Sequence, residues 1–178
     1  MIRRVREMVE AGTAQCLLGN HEINLMLGER KDANGWFFER DHDRERGKFV
    51  ACRPAADDAE REHILRFLRS LPLVLERPDL RLVHACWSDA RIDEARDTAG
   101  ISNAVELYRH YAALAEARAQ ASGLAREAGA ELDYYRDRLH DRHAQVPMLE
   151  ALAERDVSFQ LSNPVRVLTS GIERRARE

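Results

Sequence analysis

The sequence lacks the features that stabilise small secreted domains or hold a chain in a membrane. Only three cysteines occur among 178 residues, at Cys16, Cys52 and Cys86, and none belongs to a CxxC pair. An odd number at this spacing argues against a disulfide framework and favours a reducing, cytoplasmic setting. No apolar run approaches the length of a membrane span, and the N-terminus does not resemble a signal peptide.

A strong excess of one charge is also missing. The formal net charge is -3, which argues against a general surface for nucleic acid or other polyanions. Charged residues of both signs make up 33% of the chain and hydrophobic residues 44%, and this length can form one domain with a real core. We therefore expect a soluble, intracellular protein with a densely charged surface.

The N-terminal part of the chain combines helical and extended patterns. Residues 2–11 place their apolar side chains on one face, which predicts an amphipathic helix that ends at Gly12. The apolar stretch at residues 14–18 predicts a strand buried on both faces. Residues 23–27 predict a short helix, and the polar residues 28–48 predict a loop.

A group of polar residues follows the predicted strand. Gly19 permits a sharp turn, and Asn20, His21 and Glu22 then emerge where open α/β sheets tend to place their sites. The alternative is a helix N-terminus in which Asn20 only caps the first turn.

The middle and C-terminal parts predict a hairpin between helical regions. A helix with Asp57 at its N-terminus ends before Pro72, and two strands, 73–75 and 80–87, join at a turn over residues 77–79. The second strand carries His84. The charged residues 89–102 predict turns. Residues 103–142 predict long helices with a weak point at Gly129, and residues 148–153 predict a short helix. Residues 162–171 predict a turn followed by a β-branched strand.

Three of these segments, in this order, resemble the calcineurin-like metallophosphoesterases, and in particular a bacterial branch of that family. They are Gly19-Asn20-His21-Glu22 (GNHE), the stretch from Ser70 to Trp87 that ends in LRLVHACW, and the stretch NPVRVLTSG at residues 163–171. The resemblance implies an α/β fold, namely a partial sandwich of sheets flanked by helices. Residues 1–178 would form a single partial domain with a helical insertion at about 103–155.

The resemblance also implies a function, the metal-dependent hydrolysis of phosphate esters. Asn20 and His84 would be ligands of one metal ion, and His21 would be the general acid that protonates the leaving oxygen. Glu22 would support the site without binding the metal. The cofactors would be divalent ions of Mn, Fe or Zn, which form a dinuclear centre in the family.

The sequence also departs from the family pattern. The D-x-H and GDxxDRG motifs that precede GNHE in the family are missing, and no histidine follows the TSG sequence. We therefore expect weak metal binding and impaired activity, because ligand number sets both affinity and geometry. One interpretation is a fragment or a gene model with misplaced ends from a working phosphoesterase, and the alternative is a non-catalytic remnant that acts as a binding or oligomerisation module. Exposed sheet edges would favour a homodimer or poor solubility.

Two other groups that contain histidine are weaker candidates for a metal site. Asp41, His42 and Asp43 lie together in the predicted loop, and His140 and His143 share a predicted helix face. A solvated charged surface explains both groups more simply. A chance GNHE in an unrelated helical interaction protein is a further alternative, which the order of the three matching segments disfavours.

Overall fold

Helices dominate this mixed α/β protein, in a computed structural model that describes residues 1–31, 33–38 and 54–172. The described residues form eight helices and one β-hairpin. In chain order the elements are α1 (Ile2–Glu10), α2 (Asn20–Leu27), α3 (Asp58–Arg69), β1 (Val74–Arg77), β2 (Leu80–Val83), α4 (Asp89–Asp97), α5 (Ala104–Ser122), α6 (Leu124–Tyr135), α7 (Glu150–Ser162) and α8 (Pro164–Ser170). Most of the predicted loop at 28–48, including Asp41, His42 and Asp43, lies outside the described residues.

Several local predictions are confirmed. Helix α1 ends one residue before the predicted 2–11, and Asp57 caps α3 by accepting a hydrogen bond from the Glu60 backbone N–H at 2.8 Å. Strands β1 and β2 pair antiparallel, with Val74 opposite Val83 and Arg77 opposite Leu80. These elements depend on short-range patterns and turn chemistry, which a sequence carries directly.

Three local predictions are wrong. Residues 14–18 do not form a strand, because they pair with no neighbouring strand among the described residues. Their main-chain bonds run from Ala14 N–H to Met8 O at 3.2 Å and from Leu18 N–H to Pro72 O at 2.9 Å. Residues 89–97 form helix α4 rather than turns, with Ser88 as the residue that caps its first turn. The predicted strand at the C-terminus is helix α8, which begins at Pro164 and is capped by the buried side chain of Asn163.

The long helical region is confirmed, although its break lies elsewhere. Gly123, with φ of 84°, separates α5 from α6, whereas Gly129 lies within α6. A positive φ favours glycine, so Gly123 both ends one helix and starts the next. Helices α5, α6 and α7 pack against one another, and Arg155 of α7 donates to Glu116 of α5 at 2.9 Å.

The core lies between α2, α3, the start of α5 and α8. Its most buried apolar side chains include Leu18, Ile23, Leu25, Phe37, Ile64, Phe67, Leu68, Leu107 and Val165. Burial of these side chains fixes α2, and therefore the GNHE residues at its start, against α8 from the other end of the described chain. In the described part of the chain, no helix is both long and apolar enough to cross a membrane.

Candidate functional site

The GNHE residues form the first turn of helix α2. Gly19 is the N-cap residue in an extended conformation, and its N–H donates to Glu22 Oε2 at 3.0 Å. Glu22 therefore braces the turn that presents Asn20 and His21. Asn20 is the first helical residue rather than the cap.

His84 lies directly against this turn. A methyl group placed on Gly19 would be 2.7 Å from His84 Cε1 and 2.8 Å from its Nδ1, with Glu22 Oε2 at 3.0 Å. The residue after His84 is fixed in turn, because Ala85 N–H donates to Leu168 O of α8 at 3.0 Å. The hairpin thus delivers the imidazole of His84 to the backbone that precedes Asn20.

His21 has a partner of its own. Asn34 is almost fully buried, its Oδ1 lies 3.1 Å from His21 Nδ1, and its Nδ2 donates to His21 O at 3.4 Å. Because the amide nitrogen of Asn34 faces a carbonyl, its oxygen faces the imidazole, and Nδ1 of His21 carries the proton. This arrangement leaves Nε2 of the exposed His21 side chain available to a ligand.

A groove of about 440 Å³ opens beside Asn20 and His21. Its walls come from α2, α5 and α8 and from the segment after α2. The lining side chains are Asn20, His21, Ile23, Asn24, Glu29, Lys31, Tyr108, Arg166, Thr169 and Ser170. Polar and charged groups dominate, so the groove suits a small charged ligand rather than an apolar one.

The two cationic side chains that line the groove, Lys31 and Arg166, differ in their ion pairing. Lys31 pairs with Glu29 at 3.6 Å, whereas Arg166 makes no ion pair with a residue that the structure describes. The guanidinium of Arg166 lies 5.0 Å from the centre of the Phe159 ring, a cation–π distance. Burial raises the pKa of the Tyr108 hydroxyl, and the positive charge of Arg166 opposes that shift.

The described residues do not make a complete metal centre. Among them, no group of three or more His, Cys, Asp and Glu side chains is placed to hold a metal ion. Asn20 and His84 provide neutral oxygen and nitrogen donors, which suit Mn, Fe or Zn in type but fall short in number. His140 and His143 are exposed and belong to no such group either.

Three residues in or beside the groove could not be identified from the sequence. Asn34 lies in the polar stretch 28–48, which was predicted only as a loop. Arg166 was part of the predicted C-terminal strand, and Tyr108 lay in the predicted long helix without a role. The packing of α5 and α8 against α2 brings Tyr108 and Arg166 to the groove beside His21.

None of the protein-family models, curated proteins or solved structures compared with the chain matches it. The resemblance of three segments to the calcineurin-like metallophosphoesterases therefore stays a prediction. What the structure adds is the geometry of the groove and of the Gly19–His84 contact.

Proposed function

We propose that the chain contributes part of the active site of a metal-dependent phosphoesterase, a hydrolase of the calcineurin-like class that acts on phosphate esters. The contact between His84 and Gly19 carries this proposal, because it brings a histidine from a distant hairpin to the turn that holds Asn20 and His21. The GNHE and LRLVHACW segments support it. The third segment supports it less, since α8 is helical where the resemblance predicts a strand.

In this proposal Asn20 and His84 would hold a divalent ion of Mn, Fe or Zn, together with ligands that the described residues do not supply. Such an ion would polarise a phosphoryl oxygen and lower the pKa of a bound water. The doubly protonated form of His21 would donate its Nε2 proton to the leaving oxygen, while its Nδ1–H donates to Asn34 Oδ1. Two neutral ligands hold an ion weakly, so we expect slow turnover by this chain alone.

Hydrolysis of an aryl phosphate with and without Mn²⁺ tests the proposal. We expect slow, Mn²⁺-dependent turnover that His21→Ala lowers by about 100-fold, the usual contribution of a general acid. His63→Ala is the matched control, because His63 is exposed on α3 and does not line the groove. If Mn²⁺ neither binds nor stimulates turnover, or if both variants behave alike, the proposal is wrong.

A binding or oligomerisation module is the second candidate, and one observation favours it. Among the described residues, no strand pairs with the outer edge of β2, and Leu80 and Leu82 on this strand are 43% and 42% exposed. Alternate residues of a strand share a face, so the two leucines form an apolar strip along an open edge. Such edges pair with other strands, including those of a second copy.

Light scattering at high protein concentration tests the second candidate. We expect the wild-type chain to form a homodimer or larger species and Leu82→Lys to shift it toward the monomer. Leu139→Lys is the control, because Leu139 is similarly exposed at 44% and lies outside the hairpin. A wild-type monomer at all concentrations would refute this candidate.

A further inference from the structure

Among the described residues that line the groove beside His21, Arg166 is a cation that makes no ion pair. Arg166 is half-buried and makes no ion pair with any described residue, whereas Lys31 in the same groove is already paired with Glu29. Partly desolvated guanidinium groups are costly to leave without acceptors. A guanidinium in such a place is suited to bind an anion that enters the groove.

The position of Arg166 is fixed before any ligand arrives. Its backbone N–H donates to Asn163 Oδ1 at 3.4 Å, and its carbonyl accepts from Gln160 Nε2 at 3.3 Å. Gln160 and Asn163 are both fully buried, and the Phe159 ring lies against the guanidinium. The two hydrogen bonds fix the backbone of Arg166 and the Phe159 ring restricts its guanidinium, which lowers the conformational entropy lost on binding.

The rest of the groove indicates the class of anion. Arg166, His21 and Asn20 bring donors from two helices to one space, with the Tyr108 hydroxyl close enough to Arg166 for the two to interact electrostatically. Planar guanidinium groups bind phosphoryl oxygens through paired N–H donors. Glu29 also lines the groove, and its carboxylate is paired with Lys31. The volume of about 440 Å³ leaves room for an organic group next to a phosphate.

We propose that Arg166 is the anion-binding residue of this groove and that it holds the phosphoryl group of a phosphate monoester next to His21. This inference deepens the proposed function and rests on it for the ester. The binding step itself needs no metal, since it depends only on the donors that line the groove. Arg166 therefore positions the substrate, while His21 transfers the proton.

Binding of inorganic phosphate to the metal-free chain, followed by ³¹P NMR titration, tests the inference. We expect saturable binding that Arg166→Ala weakens by about 10-fold or more, the usual loss for a charged hydrogen bond. Arg166→Lys keeps the charge without the paired donors and is expected to bind with intermediate affinity. Arg118→Ala removes the same charge from an exposed position on α5 outside the groove and is expected to bind as wild type.

The results separate this inference from the proposed function. Wild-type binding that persists in Arg166→Ala, or no binding by the wild type at all, would overturn the role of Arg166 whatever the turnover assay shows. Binding lost in Arg166→Ala without Mn²⁺-dependent turnover in any variant would support the phosphate site and refute the esterase. A thermal melt of each variant shows whether it is folded. If Arg166→Ala does not fold, the phosphate affinity of Arg166→Lys is compared with that of the wild type instead.

Discussion

Gly19 and His84 are in contact: a β-carbon on Gly19 would lie 2.7 Å from Cε1 of the His84 imidazole. The backbone of Gly19 has φ of -110° and ψ of 179°, a conformation that any residue adopts. Glycine is therefore required here for space and not for backbone freedom. Because glycine has no side chain, the start of α2 packs closer to His84 than it could with any other residue at position 19.

Gly19→Ala should force the imidazole of His84 out of its place. We expect the free energy of unfolding to fall by about 1–3 kcal/mol, the usual cost of overpacking. Gly129→Ala is the control, because no atom lies within 4 Å of the added methyl in the middle of α6. That change should stabilise the helix by about 0.5–1 kcal/mol. Urea denaturation measures both, and equal effects would contradict the contact.

The double variant Gly19→Ala/His84→Ala provides a second check. Removing the imidazole removes the clash, so the double variant should lose less stability than the two single changes added together. Strict additivity would mean that the two residues do not touch.

Asn34 should determine which nitrogen of His21 carries the proton. The contact between Asn34 Oδ1 and His21 Nδ1 at 3.1 Å favours the Nδ1–H form of the neutral ring. Asn34→Ala should abolish this preference and cost about 1–3 kcal/mol, because a buried hydrogen-bonding group is lost. The ¹⁵N chemical shifts of the His21 imidazole report the protonated nitrogen directly, and an Nε2–H form in the wild type would refute the assignment.

Asn163 should contribute more to the free energy of unfolding than Asn103, which also caps a helix. Its Oδ1 accepts from Val165 N–H at 3.1 Å and its Nδ2 donates to Tyr108 O at 3.0 Å, so it both caps α8 and joins it to α5. We expect Asn163→Ala to cost about 2–4 kcal/mol, the sum of a lost cap and a buried bond. Asn103→Ala removes the cap of α5 and an exposed hydrogen bond to Ser102 Oγ at 3.3 Å, and it should cost about 1 kcal/mol. Equal losses in urea denaturation would contradict this difference.

The reactivity of Cys16 should depend on pH in a defined direction. Burial raises the pKa of its thiol, and the negative charge of Glu22 adds to the shift. In a Cys52→Ser/Cys86→Ser background, alkylation of the folded chain should therefore begin at a higher pH than alkylation in urea. Glu22→Gln should move the onset down. An onset at the same pH in the folded and unfolded chain would refute the effect.

The raised pKa of the Cys16 thiol also makes stability depend on pH. The folded state keeps the thiol proton to a higher pH than the unfolded state, so the free energy of unfolding falls as pH rises past the ordinary range of a thiol. Below that range the contribution is fully present. Cys16→Ser should lack this part of the pH dependence, as thermal melts across the alkaline range would show.

Local signals account for what could be predicted from the sequence. The helices around Val5 and Ile64 and the turn at Pro78 follow from apolar periodicity, capping and turn residues close in sequence. The predicted strand at the C-terminus was wrong because short β-branched runs do not distinguish a buried strand from a buried helix. Asn163 followed by Pro164 is a helix start, and this signal outweighed the β-branched residues.

The site could be predicted only in part, for a different reason. The resemblance assigned Asn20, His21, Glu22 and His84 to one site, yet no local pattern could reveal that the His84 ring lies on Gly19. Asn34 and Arg166 reach His21 or its groove through packing between distant segments. Contacts of this kind depend on the relative placement of whole helices, which side-chain periodicity does not encode.

The groove has walls from α2 and α8, which lie near opposite ends of the described chain. During synthesis it cannot form until α8 has left the ribosome, because Arg166 and Thr169 are among the last described residues to be made. Closing so long a loop is entropically unfavourable and slow compared with helix formation. A nascent chain should therefore form its helices first and the groove only after α8 has been made. Under the proposed role of Arg166, phosphate present during refolding would favour the docking of α8 rather than the formation of the helices.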